Sequence, residues 1–191
     1  MTTPEIWRVM AFALALPLAA CGSSDTARYL IDAPTAAAGQ TRVSVASVEL
    51  RDVSLPSHAS GSEILVMDEG GALRPLGDAQ WADDPERAVT GTLAELLDAR
   101  STATVAAEPW PLLDGPSARV DLRIDRMLAK APNLYEISGQ AAVSAADGRP
   151  RERVERVSVT VPLTEITAPA VREAQGRAIA ALADELIGLL R

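Results

Sequence analysis

The stretch Ala118-Arg119-Val120-Asp121-Leu122-Arg123-Ile124-Asp125 decides the fold, because it is the strongest strand signal in the chain. Aliphatic residues alternate with charged residues along it, so a strand formed here has one apolar face and one charged face. Antiparallel strands that cover a core on one side and meet water on the other have this pattern. The stretch therefore predicts a sheet with one face buried by other elements.

Four other segments predict further strands. They cover residues 29–31, 42–50, 135–145 and 153–161, and the last two are joined around Asp147-Gly148, a pair that favours a tight hairpin turn.

A separate hairpin is predicted from residues 64–67 and 72–76. Its connection contains Gly70 and Gly71, and glycine tolerates the positive φ that a tight turn requires. Pro75 lacks a backbone N–H, so the second arm is predicted to be an edge strand.

Two amphipathic helices are predicted. The first begins after Asp84, a helix N-cap type, with Pro85 as its first helical residue, and the second begins after Thr167. Their apolar stripes are Val89, Leu93, Leu96 and Leu97 in the first, and Val171, Ala174, Ala178, Leu182, Leu186 and Leu189 in the second. Together these patterns predict an α/β fold: a single layered domain with a mainly antiparallel or mixed sheet and two helices packed on one face.

The N-terminal stretch Leu18-Ala19-Ala20-Cys21 follows a short apolar run and resembles a bacterial lipoprotein signal. The apolar run of about a dozen residues is shorter than the roughly 20 that a membrane-spanning helix needs. We therefore expect a signal peptide over residues 1–20, a lipidated Cys21 with a short tether over residues 21–28, and the folded domain over residues 29–191. The alternative is an ordinary secretory signal, with Cys21 left as a small buried core residue.

Composition limits the partners. The net charge of −8 disfavours nucleic acid, which requires a basic surface. Hydrophobic residues make up 48% of the chain and aromatic residues only 3%, which predicts a globular domain with an aliphatic core. With a single cysteine, the chain has no intramolecular disulfide.

His58, the only histidine, is the first candidate for a catalytic residue. A hydrolase would pair it with Ser57, Ser60 or Ser62, but the chain lacks a Gly-x-Ser-x-Gly nucleophile motif, and a solvated loop histidine is the simpler interpretation. Neither a metal-ligand cluster nor a nucleotide-binding loop is present in the sequence. We therefore expect no catalytic, cofactor or metal residue, and no enzymatic activity.

Paired acids have similarly plain explanations. Asp83-Asp84 precedes a helix N-terminus, where negative charge is favourable, and Asp68-Glu69 lies in a turn.

Two tryptophans stand out in a chain with few aromatic residues. Trp81 and Trp110 both flank proline-containing turns. They are either core lids that seal the ends of the sheet or contacts for a partner, since tryptophan is enriched at interface hot spots.

Several segments in order resemble the PqiC-like family of ABC-type transport auxiliary lipoproteins, which accompany MCE-type lipid transport systems. The similar features are the cysteine, Tyr29-Leu30-Ile31, the stretch from Val43 to Leu50 that leads to Leu55-Pro56, Ile64-Leu65-Val66, Trp81-Ala82-Asp83, the Val120-to-Ile124 strand and the terminal alanine-rich helix. The chain departs from the family at Ser57 to Ser62, where relatives commonly carry a Tyr-Leu-Asp-Arg-like segment.

The resemblance implies a non-enzymatic, periplasm-facing domain held at the outer membrane by covalent lipid on Cys21. Gly22 stands where enteric lipoproteins that stay at the inner membrane carry Asp. The implied partners are an MCE-type protein and an inner-membrane ABC permease and ATPase, with a homo-oligomer as a further expectation. Leu55, Pro56, Trp81 and Trp110 are the candidate interface residues.

Two other functions stay open at this point. One is a lipid-anchored periplasmic hydrolase that uses His58, and the other is a structural outer-membrane assembly lipoprotein.

Overall fold

The computed structural model describes residues 26–34 and 39–191, and Cys21 with its leader lies outside them. The described residues form one open, mixed sheet of eight strands with three helices. The elements in chain order are β1 Arg28–Tyr29, β2 Ser47–Leu50, α1 Ser57–Ser60, β3 Glu63–Met67, β4 Leu73–Trp81, α2 Pro85–Arg100, β5 Thr104–Ala107, β6 Ala118–Lys130, β7 Leu134–Ala145, β8 Arg153–Pro162 and α3 Ala168–Leu189.

Strand β6 organises the sheet. Along one side it pairs antiparallel with β7, which in turn pairs antiparallel with β8. Along its other side it pairs parallel with β2 near its start and parallel with β3 near its end. The alternating stretch thus forms the predicted strand, which continues to Lys130.

The chain from β2 to β3 is in effect one interrupted strand beside β6. Val48 pairs with Ala118, Ser54 forms an isolated bridge with Arg123, and Val66 pairs with Ala129. Between Ser54 and β3 the chain leaves the sheet to form α1. Strand β5 lies beside β2, whereas β4 lies beside β3 and β1 beside β4.

A bulge in β6 explains one glycine. The register shifts between Ile124 and Arg126, directly opposite Gly139 on β7. A Cβ atom at Gly139 would lie 2.0 Å from the Arg123 carbonyl oxygen, so only glycine fits without backbone movement.

Both predicted long helices pack on the same face of the sheet, and the predicted fold class is confirmed. The Asp84 side chain accepts the Arg87 N–H at 2.9 Å and caps α2, with Pro85 in the first turn. Thr167 occupies the N-cap position of α3, but its side chain makes no capping bond. The core between helices and sheet is almost entirely aliphatic.

The hairpin turns follow the sequence patterns. Gly71 and Gly148 adopt positive φ values of 82° and 73°. Strand β1 pairs with β4 only at Gln80 and Trp81, so the outer side of β4 at Pro75 has no partner strand among the described residues.

Four local features differ from the predictions. The strand predicted over residues 29–31 covers only Arg28–Tyr29. The strand predicted over residues 42–50 covers only Ser47–Leu50. The backbone N–H groups of Thr41 and Ser44 do not pair with a strand, because they donate to the carbonyls of Arg100 and Leu190 at the C-terminal ends of α2 and α3. Strand β5 was not predicted, since its four residues carry only a short apolar signal. The predicted loop that contains His58 instead forms helix α1, a single turn that begins directly after Pro56.

The N-terminal segment crosses the helices after β1. Thr92 on α2 donates its hydroxyl to the Ile31 carbonyl at 3.3 Å, and Arg172 on α3 pairs with Asp32 at 2.7 Å. A Cβ at Gly176 of α3 would lie 2.5 Å from the Asp32 carbonyl oxygen. The segment therefore packs closely against both helices.

Candidate functional site

The predicted interface residues fall into two separate regions. The excursion that contains Leu55, Pro56 and α1 lies against Trp81, whose backbone N–H donates to the Ser62 carbonyl at 2.7 Å. Trp110 belongs to the β5–β6 connection, near the start of β6. The structure thus brings three of the four residues together but not the fourth.

In the first region the large side chains are buried. Leu55 and Trp81 are each 8% exposed and belong to the core, while Pro56 is partly exposed. Any partner at this region meets mainly the polar residues of α1, and the contact itself stays a prediction.

A small cleft lies between α1, α3 and the sheet. Its volume is about 20 Å³, enough for one water molecule. The buried His58 Nε2 and Gln175 Oε1 have no hydrogen-bond partner among the described residues, and both side chains line this cleft. Tyr135 lines it as well, and burial raises the pKa of its hydroxyl.

His58 is not arranged as a catalytic base. The pKa of His58 is lowered, mainly by burial and to a smaller extent by the positive charge of Arg126. Within residues 39–191, none of Ser57, Ser60 and Ser62 hydrogen-bonds to it, and the Ser60 hydroxyl instead lies 3.5 Å from the Ser57 carbonyl. The nucleophile and base pair that a hydrolase requires is therefore not formed.

The second region is the connection of residues 108–117, hereafter the crossover loop. It passes from β5 over the outer face of β2 to reach β6, and it covers the Glu49 side chain, which is 7% exposed. Glu49 accepts the Trp110 backbone N–H at 3.0 Å and the Arg119 Nε–H at 2.7 Å. These bonds satisfy a carboxylate that would otherwise be buried unpaired.

Further bonds hold both ends of the crossover loop. The Trp110 indole N–H donates to the Asp114 carbonyl at 2.6 Å, and the Ser117 N–H donates to Ser47 Oγ at 2.9 Å. Arg51 pairs with Glu108 at 3.3 Å. The loop is thus fastened to β2 at both ends and braced internally.

The tip of the crossover loop presents Leu112 and Leu113 to solvent, at 57% and 107% relative exposure. Neither leucine is among the four candidate interface residues predicted from the sequence. A signal was available, because two adjacent leucines stand between Pro111 and the turn-forming Asp114-Gly115-Pro116, where no strand or helix would bury them.

The described residues contain neither a cluster of metal ligands nor a membrane-spanning helix. Among residues 26–34 and 39–191, no three histidine, cysteine, aspartate or glutamate side chains lie close enough to hold a metal ion. Over those same ranges, no helix combines the length and the apolar character needed to cross a membrane.

The fold is a single layered α/β domain, with an open sheet covered by helices on one face. The chain belongs to the family of ABC-type transport auxiliary lipoprotein components, whose family model matches residues 29–187. This is the PqiC-like lipoprotein family, and the resemblance drawn from the sequence is confirmed.

Solved structures share the fold at low sequence identity. One, an uncharacterized protein, has a TM-score of 0.69 at 10% identity, over 87% of this chain and 99% of its own. Another, a DUF330 protein from Xanthomonas campestris, has a TM-score of 0.62 at 16% identity, over 85% of this chain and 91% of its own. No curated protein matches the chain.

Proposed function

We propose that this protein is an outer-membrane-anchored, periplasm-facing lipoprotein that serves as a non-catalytic component of an ABC/MCE-type system for lipids or other hydrophobic compounds. The observation that carries the proposal is membership of the ABC-type transport auxiliary lipoprotein family over residues 29–187. The Leu-Ala-Ala-Cys motif that ends at Cys21 supports a lipid anchor shortly before that region.

A docking role fits the described residues better than turnover does. His58 faces a cleft with room for about one water molecule and lacks a serine partner. The exposed leucine pair, in contrast, lies on a loop held by several hydrogen bonds. Binding through such a surface requires neither a cofactor nor a metal.

The anchor is tested by cell fractionation of the Cys21→Ser variant. We expect it to leave the membrane fraction, because thioether lipidation needs the cysteine thiol and two or three acyl chains hold a protein essentially permanently. Ser24→Ala, three residues further along the proposed tether, is the matched control and is expected to stay in the membrane. Persistence of Cys21→Ser in membranes would exclude the lipid anchor.

Sorting is tested separately with Gly22→Asp. If the chain follows the enteric sorting pattern, this variant moves from the outer to the inner membrane in a density gradient, whereas Gly22→Ser does not move. An inner-membrane location for the wild-type protein would contradict the proposed site.

The transport role is tested by affinity purification of the lipidated protein from detergent-solubilised membranes, followed by mass spectrometry. We expect an MCE-type protein with the ABC permease and ATPase. Recovery of an outer-membrane assembly complex instead, with no transporter subunit, would replace this proposal with the structural alternative.

A further inference from the structure

We propose that the crossover loop is the partner-docking element, and that Leu112 and Leu113 insert into an apolar pocket with a basic rim on the transport partner. The inference rests on the proposed function and assigns its contact to named residues. It places that contact toward the end of the sheet opposite to the side from which the chain enters β1.

The first support is the exposure of the two leucines. Leu113 is the most exposed large apolar residue in the described part of the chain, and Leu112 is its immediate neighbour. A leucine removes substantial apolar area from water when a partner covers it, so the pair offers a strong contact at a small site.

The second support is that the loop is held in place before any partner binds. The bonds from Trp110 and Ser117 to β2 side chains, and from the indole to Asp114, fix the loop at its base and across its tip. An ordered loop loses less conformational entropy on binding, which favours affinity.

The third support is the position of the loop relative to the anchor. Strand β1 is parallel to β4, β4 is antiparallel to β3, and β3 is parallel to β6, so β1 runs antiparallel to β6. Residues 26–27 therefore enter β1 from the side of the sheet on which β6 finishes. Arg28 pairs with Gln80, which pairs with Glu63 at the start of β3, so β1 lies part of the way along β6, whereas the crossover loop lies toward the other end, where β6 begins at Ala118.

The fourth support is charge, which favours a basic protein surface over an anionic bilayer. Asp114 directly follows the leucines, Glu108 before them is paired with Arg51, and the whole chain carries a net charge of −8. An anionic bilayer repels such a surface. A pocket with lysine or arginine at its rim complements it.

Site-specific photo-cross-linking in cells tests the inference. A photoreactive amino acid replaces Leu113 in the full-length lipidated protein, and Val154, which is 66% exposed on β8, receives the same replacement as the control. We expect position 113 to cross-link to the MCE-type protein and position 154 not to. Cross-links from position 113 to a second copy of this chain, or to lipid alone, would overturn the inference.

Substitution gives an independent readout. In the affinity purification, the double variant Leu112→Ser/Leu113→Ser should recover about tenfold less transporter subunit, or lower still, whereas Val154→Ser should match the wild type. Equal recovery with the double variant would refute the docking element while leaving the proposed function intact. Failure of the wild-type protein to recover any transporter subunit would instead refute the proposed function.

Discussion

The Glu49 carboxylate on β2 accepts the Trp110 backbone N–H at 3.0 Å and so joins the crossover loop to the sheet. Because Glu49 is nearly buried and also holds Arg119, one side chain joins β2, β6 and their connection. The shape of the loop therefore depends on a residue that lies far from its tip.

Replacing Glu49 with alanine should loosen the loop. The Trp110 amide loses its acceptor, whereas the Arg119 side chain, at 57% exposure, can turn to water. We expect a loss of about 1–3 kcal/mol in the free energy of unfolding, measured by urea denaturation, and faster proteolysis within residues 108–117. Asp121→Ala, which removes only an exposed ion pair with Arg123 at 3.4 Å, should change stability by less than about 0.5 kcal/mol. Equal effects of the two variants would contradict the role assigned to Glu49.

The bulge in β6 should make Gly139 intolerant of a side chain. Gly139→Ala places a methyl group against the Arg123 carbonyl, and we expect a loss of about 2–4 kcal/mol in thermal or urea unfolding. Gly91→Ala is the matched control, because a Cβ there meets no atom within 4 Å. In the interior of α2 it should raise stability by about 0.5–1 kcal/mol. A neutral Gly139→Ala would mean that the bulge rearranges freely.

Capping should matter at α2 and not at α3. Asp84→Ala removes the acceptor for the Arg87 N–H and should lower stability by about 1 kcal/mol. Thr167→Ala changes the equivalent position of α3, where the side chain makes no capping bond, and should lower it by less than about 0.5 kcal/mol. Urea denaturation of both variants measures the difference. A larger loss of stability in Thr167→Ala than in Asp84→Ala would contradict the assignment of the side-chain cap to α2.

Stability should fall at mildly acidic pH because of His58. Its pKa lies below the ordinary value of 6.5 in the folded state, so the unfolded chain binds the proton more readily. The free energy of unfolding should therefore decrease as pH falls below 6.5, whereas the lowered pKa values of Glu136 and Asp68 act only below their ordinary values of 4.5 and 3.8.

Urea denaturation at about pH 8 and about pH 5.5 measures this effect. His58→Asn removes the titrating group and should reduce the difference in stability between the two conditions. An unchanged pH dependence in His58→Asn would rule out the His58 imidazole as its cause.

The elements with strong local signals were predictable from the sequence. The alternation around Val120 indicated β6, and Asp84-Pro85 indicated the start of α2. Gly70-Gly71 and Asp147-Gly148 indicated the hairpin turns. Each of these signals depends on neighbouring residues alone. The parallel pairing of β2 and β3 with one side of β6 joins distant segments, and no local pattern encodes it. Strand β5 was not predicted for the same reason, because its four residues form a strand through their pairing with the distant β2.

The candidate site was partly predictable. Scarcity of aromatic residues drew attention to both tryptophans, yet Trp81 is buried, and Trp110 serves mainly to brace a loop that displays Leu112 and Leu113. The prolines and turn residues beside Leu112 and Leu113 place them in a loop, but whether the rest of the chain covers a loop leucine depends on contacts between distant segments.

The two-residue strand β1 has a mechanical consequence if Cys21 carries the proposed anchor. Tension on that anchor would enter the domain at β1, which two residue pairs and the packing of Tyr29 and Ile31 against the core hold in place. Detachment of this strand, with the Asp32 contacts that follow, would release residues 26–34, a stretch of up to about 30 Å when fully extended. No strand pairing from β2 through β8 includes these residues apart from that of β4 with β1, so the segment could lengthen the tether under load while the rest of the sheet stays paired.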